Sequence, residues 1–185
     1  MVWIEQPRLR LQYLIAYLMT WIVLGTALAT VLSSVGPAFY HHFYGDGRFD
    51  PLTAYLQAAA GQAPLPALVV QQALISWADA KAYTLGSGIS AMPSMHVAIA
   101  TLFMLLGWRI STFGGAAASI FLGVIFLGSI HLGYHYAIDG YVSMILTPIS
   151  WWGSGRWAKA HIARVDAWSQ ANPAQAPAPE GGSRA

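Results

Sequence analysis

The chain has 185 residues, of which 56% are hydrophobic and only 9% charged, against roughly a quarter charged in an ordinary soluble domain. Seven acids and nine bases cannot cover a soluble protein of this size, and a net charge of +2 with no basic stripe excludes a nucleic-acid partner. The absence of cysteine removes disulfides and thiolate chemistry.

Long stretches carry no Asp, Glu, Lys or Arg: Leu11 to Gly45, Ala82 to Trp108 and Ile110 to Ile138. Spans of about 20 apolar residues match the hydrocarbon thickness of a bilayer. The composition therefore predicts an all-α integral membrane bundle of about four transmembrane helices. The first runs from about Leu11 to Ser33 and is too long, without a small-residue cleavage site, for a secretory signal peptide.

Between the first two spans, 36–89 is expected to hold interfacial helices in one outer loop. Asp50-Pro51 reads as an N-cap followed by proline at the first helical position, with a short helix to about Ala60. Pro66 opens a second, from Ala67 to about Lys81, with Leu68, Leu74, Ile75 and Trp77 set against polar Gln71, Gln72 and Asp79. His41 and His42, beside Phe39, Tyr40, Phe43 and Tyr44, read as interfacial residues.

The second span is expected from about Ser94 to Trp108, the third from about Gly115 to His131, and the fourth from about Tyr136 to Trp152. Arg109 to Gly115 forms the turn between the second and third, marked by its glycine pair. Gly123 and Gly128 are expected to permit close helix packing. Trp151, Trp152 and Trp157 read as an interfacial belt. The membrane domain is placed at residues 1–166. From Ala167 the chain is rich in Ala, Pro, Gln, Gly and Ser and is expected to be a disordered tail, 167–185.

With the N-terminus inside, Arg8, Arg10, Arg109, Arg156, Lys159 and Arg164 fall on one side and only Arg48 and Lys81 on the other. This is a positive-inside bias. It suits a plasma or inner membrane, with His96, His131, His135 and Asp139 on the outer or periplasmic face.

Ionisable side chains near membrane depth are functional candidates by default. In Ser90-Ala-Met-Pro-Ser-Met-His96, Pro93 is expected in the first turn of the second span, with Ser90 or Met92 before it as the cap. The unpaired amides of that turn and the Ser94 hydroxyl can hold a phosphate oxygen near the His96 imidazole. His135 and Asp139 are four apart and share a helical face. A carboxylate on one ring nitrogen leaves the other free to attack. His135 as nucleophile, His96 as acid/base and Asp139 as orienting carboxylate make a two-step phosphoryl-transfer scheme. A zinc-type site of His131, His135 and Asp139 is the competing reading, without an accompanying glutamate base.

Ala-Met-Pro-Ser-Met-His96 resembles the Pro-Ser-x-His motif of the type 2 phosphatidic acid phosphatase superfamily. Gly133-Tyr-His135-Tyr-Ala-Ile-Asp139 resembles its Gly-x-His-x-x-x-Asp motif, and His-Tyr-x-x-Asp is most similar to the branch of inositolphosphorylceramide and sphingomyelin synthases. The similarity extends from about Ser87 to Tyr141, with a weaker stretch at Val35 to Tyr40. It implies a helical membrane bundle, a phosphohistidine on His135, a lipid phosphate or phospholipid substrate, and neither metal nor cofactor.

Three departures matter. Ser129 stands where the family pattern has an arginine, the upstream Lys-x₆-Arg-Pro motif has no match, and the family usually has six transmembrane helices. The missing cations leave His131, Arg48 and Lys81, with Ser129 as a hydrogen-bond donor, as expected phosphate-binding substitutes. The low span count leaves open a truncated chain, or a degenerate fragment that binds anionic lipid headgroups or a partner membrane protein.

Overall fold

The computed structural model describes residues 6–81 and 89–173. Ser87, where the family resemblance begins, and residues 174–185 of the expected tail lie outside the described residues. Those described form an all-helical structure: α1 (Pro7–Val31), α2 (Pro37–Tyr44), α3 (Asp50–Ala60), α4 (Pro66–Asp79), α5 (Met95–Ile110), α6 (Thr112–His131) and α7 (Ala137–Ala171). Helices α1 and α6 are long and apolar enough to cross a membrane, while α5 is apolar but has 16 residues.

Helix α5 is the centre of the bundle. One apolar cluster joins its Leu102 to Leu9, Tyr13 and Ala16 of α1 and Trp151 of α7. The other joins its Val97 and Ala100 to Leu122 of α6, with Phe126 and Met144 packed against them. Small residues make these approaches possible. A side chain at Gly107 would meet the Gly114 backbone, and one at Gly115 would strike the Trp108 ring. Ser111 alone makes the turn, ending α5 and capping α6 by accepting the Gly114 amide at 2.9 Å. Gly114 and Gly115 therefore belong to helix α6, where closeness rather than turning requires them.

Several sequence expectations need correction. Gly123 and Gly128 have open space where a Cβ would stand, so they serve no helix contact. Trp151 is buried in the core, and only its neighbours Trp152 and Trp157 are exposed. The fourth span runs well past Trp152 through Pro148, whose missing N–H leaves the helix one hydrogen bond short. The boundary at Ala167 falls inside this helix, which carries on to Ala171.

Helix α1 contains a π-helical stretch, Thr20–Leu28, that no sequence pattern announced. Wider turns of this kind often sit near functional sites. Here Gly25 lies against the Met95 side chain, next to His96. Between α1 and α5, α3 and α4 start and stop close to expectation. Asp50 is not the cap of α3: Phe49 precedes the helix, and the Asp50 carboxylate bonds His41 instead, at 2.8 Å. His42 similarly meets Asp79 at 2.9 Å, so both histidines carry acidic partners. Helix α2 was missed, although Pro37 at its start and Gly45 in the left-handed conformation at its end bracket it.

The two kinds of glycine separate by experiment. Gly107→Val should destabilise the bundle by about 1–3 kcal/mol through overpacking, read as a lowered midpoint of thermal unfolding in detergent. Gly123→Ala should leave that midpoint unchanged.

Candidate active site

His135 sits in the short connection between α6 and α7, and local chemistry fixes its backbone first. Gly133 takes φ +72°, the left-handed conformation that ends helix α6. The chain then turns back, and the Tyr134 and His135 amides both donate to the Ser129 carbonyl, at 3.1 and 3.2 Å. From outside, helix α4 clamps the connection. The buried Gln71 donates from Nε2 to the Leu132 carbonyl at 2.8 Å, and the Tyr134 hydroxyl donates to the Ala67 carbonyl at 2.8 Å.

The imidazole is fixed by a single carbonyl. His135 Nδ1 lies 2.6 Å from the Ala91 oxygen. A carbonyl can only accept, so Nδ1 carries the proton and Nε2 presents a lone pair. That lone pair faces His96 Nδ1 at 3.3 Å. His135 is buried and His96, in the first turn of α5, is exposed. One ring is thus held and the other lies at the surface.

Ala91 is itself held, because its amide donates to the Ser34 carbonyl at 2.8 Å. Beside it, the Ala38 amide donates to the Gly133 carbonyl at 2.9 Å. A side chain on Gly36 would collide with the Tyr134 carbonyl oxygen. The stretch from Ser34 to Ala38 thereby braces both histidine-bearing segments.

Asp139 is close to the expected place but has a different first partner. Its Oδ2 accepts the Tyr136 amide at 2.7 Å, closing the start of α7, and lies 3.8 Å from His135 Nδ1. The tautomer is therefore set by Ala91, with the Asp139 carboxylate behind it as a nearby charge. Ser94 is the N-cap of α5, in place of Ser90 or Met92, and Pro93 precedes the helix. The Ser94 hydroxyl is fully buried, 3.5 Å from the Val97 amide, so it is turned inward rather than offered to a ligand.

The other expected phosphate ligands are not gathered. The Ser129 hydroxyl donates to the Phe126 carbonyl of its own helix. The His131 ring packs edge-on against Tyr55. Arg48 pairs with Asp46 at 3.5 Å and lies over Tyr40. Lys81 is exposed just past the end of α4, with φ 50°. Among the described residues, no three His, Cys, Asp or Glu side chains converge as metal ligands.

Gln71 and Tyr134 are the positioning residues that the sequence reading missed. Gln71 looked like part of a polar face, yet it is buried. Nothing in the sequence distinguishes it from its neighbour Gln72, and only the docking of α4 buries the one and not the other.

Burial, and secondarily the adjacent His96, lower the pKa of His135 from its ordinary 6.5 to about 4, against the opposing pull of the Ala91 carbonyl. The folded protein then binds fewer protons than the unfolded chain between those values. Stability from this group is present above pH 6.5 and is lost as pH falls towards 4. An imidazole NMR titration should show His135 neutral at pH 6, and a midpoint near 6.5 would contradict this environment.

Comparison with known proteins comes down to one match. No curated protein and no solved structure matches the chain. The family description "PAP2 superfamily" matches residues 1–153, a stretch that contains the π-helical span, the helices between α1 and α5, and both histidine segments. On that match, which covers most of its length, the chain belongs to the PAP2 superfamily.

Proposed function

We propose that the chain is a membrane-embedded phosphatase or phosphotransferase acting on a lipid phosphate ester through a phosphohistidine on His135. The observation that supports it most is the His96–His135 pair, with one ring fixed by a carbonyl and the other at the surface. Membership of the PAP2 superfamily supports phosphatase-type chemistry.

In the first step His135 Nε2 attacks phosphorus, forming a P–N bond as the bond to the alcohol oxygen breaks. His96 gives its proton to that oxygen. In the second step, water or a lipid hydroxyl attacks phosphorus, the P–N bond breaks, and His96 takes the proton from the attacking oxygen. Asp139, 3.8 Å from Nδ1, offsets the positive charge that the ring of His135 carries while phosphorylated.

At 3.3 Å the two rings leave no room for a phosphoryl group and its leaving oxygen between them. Substrate must therefore displace His96, and its exposure makes that movement inexpensive. The first-turn amides of α5, at the positive end of its dipole, meet the incoming anion. The positive-inside bias of the sequence supports an outer-face site.

Purified protein supplied with phosphatidate should release inorganic phosphate. His135→Ala should reduce release to background, and His96→Ala should reduce it by about 10²–10⁴-fold. Equal release by all three proteins would refute the mechanism, and lipid binding without turnover would favour a non-catalytic headgroup binder. Adding a diacylglycerol-type or ceramide acceptor separates hydrolysis from transfer, since an exchanged lipid forms only by transfer.

Bracing by Gly36 makes a second prediction. Gly36→Ala should lower kcat by about 10²-fold, the scale of a misplacement near 1 Å, with little change in KM. Gly123→Ala, facing open space, should leave kcat unchanged.

A further inference from the structure

At the opposite end of α5 from His96, the bundle carries a second polar feature. A cavity of about 350 Å³ is lined by Arg8 of α1, Arg109 of α5, and Arg156 and Lys159 of α7, together with Gln12 and Trp152. The cations arrive from three helices that are distant in sequence. None has a carboxylate within 4 Å among the described residues.

A positive-inside bias explains basic residues at this end of the bundle, but not their convergence on one concavity. Arg10 and Arg164 satisfy the same bias without lining it. The walls are also built. Arg156 stacks over the Trp152 ring at 4.8 Å, which orients its guanidinium. Gln12 is buried, donating from Nε2 to the Trp151 carbonyl at 3.0 Å, and a side chain on Gly155 would press into it. Four like charges around one concavity repel each other, and an anion placed among them relieves that repulsion. Guanidinium groups match the geometry of phosphate oxygens, and basic pockets between membrane helices hold anionic headgroups.

We propose that this cavity is a binding site for a phosphate group, separate from the histidine pair and at the other end of the bundle. The same chemistry is carried by the headgroup of an anionic lipid and by a soluble phosphate.

The test uses full-length His135→Ala protein in detergent, so that no turnover occurs and the histidine end is common to every sample. Calorimetric titration is made with dihexanoyl phosphatidate, inorganic phosphate and, as a zwitterionic control of zero net charge, dihexanoyl phosphatidylcholine. Phosphatidate should bind, and Arg109→Gln with Arg156→Gln should weaken it at least tenfold. Arg8→Gln with Lys159→Gln repeats the test with the other two cations, all four being exposed, should the first pair fail to fold. Arg10→Gln with Arg164→Gln removes the same charge outside the cavity and should change affinity less than twofold. Phosphatidate binding without inorganic phosphate binding assigns the site to a lipid headgroup, and equal binding assigns it to soluble phosphate. The proposal is overturned if the cavity variants bind within twofold of the parent, or if the Arg10/Arg164 pair weakens binding as much as they do.

Discussion

The hydrogen bond from His135 Nδ1 to the Ala91 carbonyl is the contact on which the arrangement of the site depends. It joins the segment before α5 to the connection before α7, two pieces of chain that share no secondary structure. It selects one tautomer, so the lone pair of Nε2 has one direction. Because Ala91 is held in turn by Ser34, the imidazole is referred to the backbone that follows α1. A side chain alone could not achieve this, since a carboxylate on a flexible stem has rotamer freedom that a backbone carbonyl lacks. The ring is also buried, and that burial, against the opposing pull of the Ala91 carbonyl, gives the low basicity that keeps the nitrogen unprotonated.

This dependence explains the helices between α1 and α5. A short connection carrying a buried polar ring has backbone groups that need partners, and burial without them is costly. Helix α6 supplies the Ser129 carbonyl, α4 supplies Gln71 and the Ala67 carbonyl, and the start of α2 supplies the Ala38 amide. The segment between α1 and α5 is therefore a scaffold for the histidine connection. Aromatic edges run the same way, from Phe39 to Tyr134 and from Phe49 to Tyr136.

What was legible in the sequence follows the range of the physics involved. Apolar spans, proline starts and glycine stops act over a few residues, so α3, α4, α5 and α6 fall close to where periodicity and punctuation place them. The pairing of His96 with His135 was legible because each motif sits at a span end, and topology brings those ends to one side. The orienting partner was not. Spacing by four made Asp139 the natural candidate, but the carbonyl of Ala91, 44 residues away, makes the shorter contact. Main-chain acceptors carry no residue-type signal, so spacing cannot reveal them. The same holds for Gln71, whose burial depends on α4 docking, and for the π-helical turn in α1, which has no compositional mark.

Ser129 shows how a departure from a family pattern can be read structurally. An arginine there would bring a cation to the phosphate, whereas here the residue contributes its carbonyl to two amides of the histidine connection and turns its hydroxyl back on α6. His131 and Arg48, the apparent substitutes, are engaged with Tyr55 and with Asp46 and Tyr40. What remains around His96 and His135 is a site rich in oriented dipoles and poor in fixed cations. Such a site stabilises charge by preorganisation more than by net attraction. With no cation beside the two rings among the described residues, a dianionic ground state would gain little net attraction there, while oriented dipoles can still meet the charge that moves during transfer. In the chemistry proposed above, affinity for substrate must then come mainly from the lipid part, held by the apolar surroundings of the bundle, while the histidines act on the phosphoryl group itself.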